Sequence, residues 1–426
     1  MIAVLSLLAC LDPISKDGTD GTDSGDAGAT GGGSTIFDVR DGTVGDGETV
    51  TLSGILVSSP LTRADSESGK SDGFFVQDPA GGENSGLYVW SQGQFGSELT
   101  IEPGDEVSIS GKISEFYDWT ELVVGDASAI TVTGSGTLPA PANLGDGAGV
   151  DWNVWESVPV TLENQTVESV NSFGTGLLSA GISVDDGFVY NDYDCRGSFA
   201  SVTGIIFYRN YDEEVTTDDW SVNDRTTDEL AGYTPGEVID TTVHGIRADG
   251  ICGPVHVSGV VSTAASFGEK DERTYLFVQD AGGGENSGIV VFNPDGYTGY
   301  YPGSVFDVTG TVSDYFGLAE ISLFGGGTIT ETGNAQPTIT TVPADVTDWL
   351  PWQSALIRLD DVTALNVDEW GTVLTDRGVY IDNLFMDVEA EEGSSWSSVT
   401  GPLFYTSYDD VPQFLVEPRS ADDLVE

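Results

Sequence analysis

The residues best placed to do chemistry occur twice. Asp78, Glu83 and Asn84 lie in FVQDPAGGENSG, and Asp280, Glu285 and Asn286 lie in FVQDAGGGENSG, 202 positions later. Hard oxygen donors on a glycine-rich loop suit calcium. The same residues also suit a β-hairpin in which Gly and Asn adopt positive φ and Asp bonds backbone N–H groups. The turn is the stronger reading, and calcium is the one cofactor the sequence suggests. A second candidate is the aromatic run Phe116, Tyr117 and Trp119, partly mirrored by Tyr315 and Phe316. Exposed aromatics there would stack on a ligand; the alternative is that alternate members pack into a barrel end, and the sequence leaves both open. Glu121 and Glu320 keep their identity beside these runs.

Catalytic constellations are thin. The two histidines, His244 and His256, have no partner motif such as Gly-x-Ser-x-Gly or His-Glu-x-x-His and read as ordinary sheet residues. A Cys/His zinc site needs four ligands at short spacing, which cannot be assembled. With 70 acidic residues, some carboxylate pairs lie close by chance, so a glycosidase-type pair has no weight without geometry. The expectation is a non-enzyme; a hydrolase with a cryptic carboxylate site is the least favoured alternative.

Charge narrows the partners. Fourteen basic against 70 acidic residues give a net charge of −56. Such a chain repels phosphate backbones, so nucleic-acid binding is disfavoured unless cations bridge. The even spread of acids fits a saline setting or a cation-rich surface layer.

The elements that carry these residues are short strands. TVTLSGILVS, EVSISGKIS and SVFDVTGTVS alternate apolar and polar residues, and Pro-Gly and Asp-Gly pairs punctuate them. No stretch shows a sustained helical stripe with caps. The repeat extends well beyond the hairpin: SEFYDWTEL at 114–122 matches SDYFGLAEI at 313–321. A second, weaker repeat pairs Trp155-Glu156-Ser157 with Trp352-Gln353-Ser354 and Ser201–Gly204 with Ser398–Gly401, at an offset of 197. The resulting units are 36–138, 139–234, 235–336 and 337–426, with the third repeating the first and the fourth the second.

The order strand–Gly–strand, Phe-Val-Gln-Asp, Gly-rich hairpin, Gly-Leu-Tyr-Val-Trp, Pro-Gly-Asp and Glu-Phe-Tyr resembles the OB-like domain attached to secreted bacterial endonucleases. The resemblance covers the first and third units and implies an all-β chain of tandem small OB-like barrels in two duplicated pairs. In that family the module is accessory to a metal-dependent nuclease domain, and no residues remain here to build one. An accessory nucleic-acid-binding role is the alternative it implies, opposed by the charge.

The first residues suggest a location. Leu7-Leu8-Ala9-Cys10 resembles a bacterial lipobox, with Cys10 as the lipidated residue and 1–10 as signal segment. The run is short and lacks a preceding Lys or Arg, so the expected true start lies upstream. Residues 11–35, rich in Asp, Gly, Thr and Ser, read as a flexible tether. The expectation is a lipid-anchored protein of the bacterial cell envelope, at the outer membrane or cell surface, that meets the membrane through its lipid and presents a structural or binding face to protein or glycan. Cys195 and Cys252 remain as an even pair. Both sit in polar, turn-like surroundings rather than core positions, which favours a disulfide over two free thiols. That bridge would contribute about 4 kcal/mol by chain entropy.

Overall fold

The computed structural model describes residues 33–62, 69–171, 174–191, 193–208, 220–269, 273–296, 299–408 and 411–426. Cys10 and nearly all of the expected tether lie outside the described residues.

Among the described residues the strands form four sheets. The first contains β1 (Thr49–Val57), β2 (Ser71–Gln77), β3 (Gly86–Phe95), β4 (Asp105–Phe116), β5 (Trp119–Val124) and β6 (Ile130–Ser135). The second contains β7 (Ala142–Asn143), β8 (Pro159–Val170), β9 (Gly176–Leu178), β10 (Ser183–Asp185), β11 (Ser198–Tyr208), β12 (Trp220–Asn223) and β13 (Leu230–Ala231). The third contains β14 (Ile239–Thr241), β15 (Gly253–Ser262), β16 (Phe267–Glu269), β17 (Arg273–Gln279), β18 (Gly288–Asn293), β19 (Ser304–Tyr315), β20 (Leu318–Ser322) and β21 (Thr328–Asn334). The fourth contains β22 (Thr340–Thr341), β23 (Leu356–Val367), β24 (Val373–Thr375), β25 (Tyr380–Ile381), β26 (Ser395–Tyr408), β27 (Val411–Val416) and β28 (Leu424–Val425).

Each sheet closes into a five-stranded barrel with one strand order. In the first barrel β1 pairs β2, β2 pairs β3, β3 runs parallel to β5, β5 pairs β4, and β4 returns to β1. The same circuit runs through β8-β9-β10-β12-β11, β15-β17-β18-β20-β19 and β23-β24-β25-β27-β26. This is an all-β chain of tandem OB-like barrels in two duplicated pairs. Closure requires the first strand to pair with two partners, so it must bend. One residue in that strand is left-handed in every barrel: Gly54 (φ 71°), Asn164 (φ 54°), Gly259 (φ 70°) and Asp361 (φ 52°). Gly, Asn and Asp are the residues that reach this region most readily, and the pairing register shifts at Gly54 and Gly259 as in a β-bulge.

Strand alternation fills the barrels. Val50, Leu52, Val76, Leu87, Ile109 and Leu122 point into the first, and their counterparts Val255, Val257, Val278, Ile289, Val308 and Ile321 fill the third. Two short helices plug these cores, α1 (Ile36–Arg40) and α2 (Val243–Asp249). Thr35 and Thr242 cap them, and Ile36/Val39 and Val243/Ile246 are buried at i, i+3 spacing. Helices of five and seven residues are too short to display a sustained stripe, which is why the sequence pattern does not announce them.

The strands of the repeated motif are buried on both faces. Phe74 and Val76 face the barrel core, whereas Phe75 between them faces the second barrel. There Phe75 stacks on Phe207 (ring centroids 4.6 Å apart) beside Tyr88 and Trp119. In the second pair Phe277 meets Phe404 at 5.6 Å. The hairpin itself completes the seam. Asn84 N–H donates to Val154 O (2.7 Å), and Asn286 N–H donates to Pro351 O (2.6 Å). A Cβ on Gly86 would lie 2.1 Å from Ser157 O, and one on Gly288 would lie 2.1 Å from the Ala355 nitrogen.

The two pairs are joined by a disulfide between Cys195 and Cys252, with Cα atoms 5.7 Å apart and 57 residues of separation. Arg196 reinforces the junction by donating to Cys252 O (2.9 Å) and Glu237 O (2.8 Å). Cys195 is 3 % exposed, so it is a core position despite its polar neighbours in sequence. The junction, not the local segment, buries it.

Because backbone blocks both glycine sites, Gly86→Ala or Gly288→Ala must push the barrels of that pair apart. Each should destabilise by about 2–3 kcal/mol and expose the seam aromatics. Thermal melting and intrinsic tryptophan fluorescence check this, and an unchanged melt for Gly86→Ala would contradict a tight seam.

Candidate binding surface and the buried acid cluster beneath it

The aromatic run divides at a turn. Phe116 and Trp119 are paired ends of β4 and β5, so Tyr117-Asp118 is a two-residue hairpin turn. Both turn residues have positive φ, 48° and 67°, the mirror-type turn that matches strand twist. Tyr315 and Leu318 close the same turn around Phe316 (φ 50°) and Gly317 (φ 88°). Phe116 and Tyr117 are 44 % and 37 % exposed, and Tyr315 and Phe316 are 51 % and 47 % exposed. Within each tip the two rings meet edge to face, with centroids at 4.7 Å and 5.0 Å. Each pair of barrels therefore presents one aromatic dyad at a hairpin tip.

Trp119 does not belong to that surface. It is 6 % exposed and stacks on Tyr88 at 4.7 Å inside the seam. Strand alternation turns it inward once the two-residue turn is complete, and it packs between barrels rather than into a barrel end. Leu318 occupies the matching buried place in the second pair.

The hairpin carboxylates are engaged locally. Asp78 Oδ1 accepts from Ala80 N–H (2.9 Å), and Asn84 takes the left-handed conformation at φ 59°. Asp280 uses both oxygens on the first turn of α2, accepting from Val243 N–H (3.1 Å) and His244 N–H (2.9 Å). Asn286 repeats the left-handed turn at φ 58°. Glu83 and Glu285 lie in these turns, and no cluster of three or more His, Cys, Asp or Glu side chains suited to a metal ion occurs among the described residues. His256 Nδ1 lies 2.6 Å from Asp240 Oδ1 across β14 and β15.

Beneath the first tip lies a feature the sequence did not suggest. Arg40, at the end of α1, reaches across the seam to the Glu156 carboxylate and to Asn153 O (2.9 Å), and donates to Thr120 Oγ1 (2.7 Å) of its own barrel. Glu156 also accepts from Thr120 N–H (3.2 Å). Arg247 repeats the clasp on a neutral partner, donating to Gln353 Oε1 (2.6 Å) and Leu350 O (2.8 Å), while Ala319 N–H donates to the same Oε1 (3.1 Å). A second arginine clasp returns from the even barrel: Arg225, braced by Glu229, donates to Ser58 O (2.8 Å), and Arg419, braced by Asp423, donates to Thr263 O (3.0 Å). The available signal was scarcity. In a chain with ten Arg, Arg40/Arg247 and Arg225/Arg419 recur at equivalent places in the repeat.

Glu121 and Glu320 are buried beside these clasps. Burial, reinforced by the charges of Glu156 and Glu115, pushes the Glu121 carboxyl up to about 8. Burial pushes Glu320 up to about 7. Glu156 rises to about 7, with burial outweighing the opposing pull of Arg40. These acids are buried inside a seam.

Comparison with known proteins adds little. No family model and no curated protein matches the chain. A solved structure of a replication protein A heterotrimer bound to single-stranded DNA is similar over 87 % of this chain and 92 % of that chain, at 7 % identity and a TM-score of 0.17. A likeness that slight carries no argument about ligand.

The raised carboxyls set the sign of the pH dependence. Their folded pKa values lie above the ordinary carboxylate value, so the folded chain holds protons that the unfolded chain releases. The stability they contribute is full below about pH 4.5 and is lost as pH rises through about 7–8. The melting temperature should fall by roughly 5 °C or more between about pH 6 and pH 9. Glu121→Gln should flatten that decline, and a decline that persists undiminished in the variant would assign it elsewhere.

Proposed function

We propose that this chain is an exported, lipid-anchored, non-catalytic array of the bacterial cell envelope that holds two aromatic tips away from the membrane for contact with an outside partner. One observation supports setting nucleic acid aside as a partner of the first and third barrels. In OB-type barrels the outer face of the second and third strands takes oligonucleotides, and in the first and third barrels here that face is covered by the neighbouring barrel. The net charge of −56 points the same way. The cross-link between Cys195 and Cys252 supports export, because disulfides persist in oxidising compartments. The lipobox-like Leu7-Leu8-Ala9-Cys10 supports the anchor, and the acidic, glycine-rich run after it supports a tether.

The tips support the binding role through their backbone. Tyr117 and Phe316 hold bulky side chains at positive φ, where Asn or Gly is favoured in such turns. Conformational cost of this kind concentrates at functional positions.

The anchor is tested by metabolic labelling with palmitate. Label is expected on the parent chain and lost on Cys10→Ser; an unlabelled parent would remove the lipid from the proposal. The tips are tested with the full chain on an array of envelope proteins and glycans. Tyr117→Asn combined with Phe316→Asn should raise stability by about 0.5–1 kcal/mol and abolish binding. Retained binding would move the partner to another face, and retardation of single-stranded DNA with millimolar calcium or magnesium would favour the nuclease-accessory reading.

A further inference from the structure

On the fourth barrel the face that the first and third barrels bury ranges from half-buried to exposed among the described residues. Leu374 and Tyr380 are cross-strand partners on β24 and β25. They alternate with the buried Val373, Thr375 and Ile381, so they project from the outer face. Leu365, on the adjoining half of β23, is 51 % exposed. At the loop end of this face stands Trp370, 76 % exposed, in the turn between the first two strands of the barrel.

The turn that presents the indole is firmly built. Asp368 Oδ1 accepts from both Trp370 N–H (2.8 Å) and Thr372 N–H (2.9 Å). Asn383, just past β25, donates its amide to Trp370 O (3.0 Å). Thr372 Oγ1 donates to Asp382 Oδ1 (2.9 Å), which ties the turn to the same strand end. A single exposed aromatic needs no explanation. Trp370, on a turn whose backbone these hydrogen bonds fix, stands beside Leu365, Leu374 and Tyr380 on one sheet face. In the repeat, Phe173-Gly174-Thr175 stands where the fourth barrel has Trp370-Gly371-Thr372, with Phe173 itself outside the described residues.

The surrounding charge selects the occupant. Asp368, Glu369, Asp376 and Asp382 border the face, and they disfavour nucleic acid, sulfated polysaccharide and acidic protein. Carboxylates accept hydrogen bonds from hydroxyl groups, and an aromatic plane accepts the apolar face of a sugar ring. We propose that the outer face of the fourth barrel, centred on Trp370, binds a neutral glycan. This site is separate from the hairpin tips and stands whether or not they bind a partner.

Affinity electrophoresis of the full chain through gels containing neutral β-glucan, α-glucan, mannan or xylan tests the proposal. At least one polymer should retard the parent chain. Trp370→Ala should weaken that interaction about tenfold or more, Tyr380→Ala should weaken it in the same gel, and Trp370→Phe should restore most of it. Phe324→Ala, at an exposed ring of the third barrel outside both proposed surfaces, should leave it unchanged, and the Trp370→Ala melting curve should match the parent because Trp370 is already exposed. The proposal is overturned if none of the four polymers retards the chain. It is equally overturned if Trp370→Ala and Tyr380→Ala migrate like the parent, or if the chain binds only charged polysaccharide or protein through this face.

Discussion

Everything in the arrangement depends on the burial of one outer sheet face in each pair. A strand such as β2 normally has a core side and a water side, but Phe75 and Phe277 convert the water side into a second core. Fully burying an aromatic side chain contributes about 1.5–3 kcal/mol, and each seam gathers several. This apolar contact also suits the charge. A chain with 70 acidic and 14 basic residues cannot hold its barrels together through surface ion pairs. The seams use apolar contact and arginines that donate to backbone carbonyls, a neutral partner whose bond does not need a counter-charge on the opposite barrel.

The duplication works as an internal control on the clasps. Arg40 meets a carboxylate at Glu156, while Arg247 meets an amide at Gln353, yet both pairs direct the same acceptor oxygen at the following backbone N–H, of Thr120 or Ala319. Equal geometry with unequal charge identifies the hydrogen-bond fork as the common requirement. The first pair adds ionisation on top of it. Glu115, Glu121 and Glu156 share one region there, whereas Glu320 has Asp314 as its acidic neighbour. The two pairs therefore have one architecture and a different arrangement of buried acids.

How far the sequence exposes this depends on whether a constraint is local. Strand alternation and the duplicated order are legible because each strand carries its own period and both copies meet the same seam. FVQD and GGENSG recur unchanged across 202 positions, and Phe75, Asn84 and Gly86 within them touch the neighbouring barrel. Their role is non-local, so the motif alone left a calcium loop and a turn as competing readings. Trp119 was opaque for the same reason: its neighbours Phe116 and Tyr117 are exposed, and only the opposing barrel explains why it is not. Cys195 follows that logic at the junction of the pairs. The arginine clasps had almost no local pattern, because an Arg that donates to a carbonyl can meet any residue type.

The tips present the opposite case, in which local preference is set aside twice. A two-residue hairpin turn with both residues at positive φ favours Asn-Gly or Asp-Gly. The second pair has Gly in its second turn position and the first pair has Asp118, both compatible with that backbone. At the first position each carries an aromatic instead, Tyr117 or Phe316, next to another exposed ring. The four strand bends keep to these preferences with Gly, Asn, Gly and Asp, whereas Gln94, Ser157, Arg196 and Ser354 also reach positive φ. The tips carry aromatics at matching surface points all the same, and the second tip also meets the fourth barrel, where Ser407 Oγ donates to Phe316 O (3.3 Å). Local conformational preference therefore opposes the side chain in both copies, which is why these turns cannot be read from turn chemistry alone.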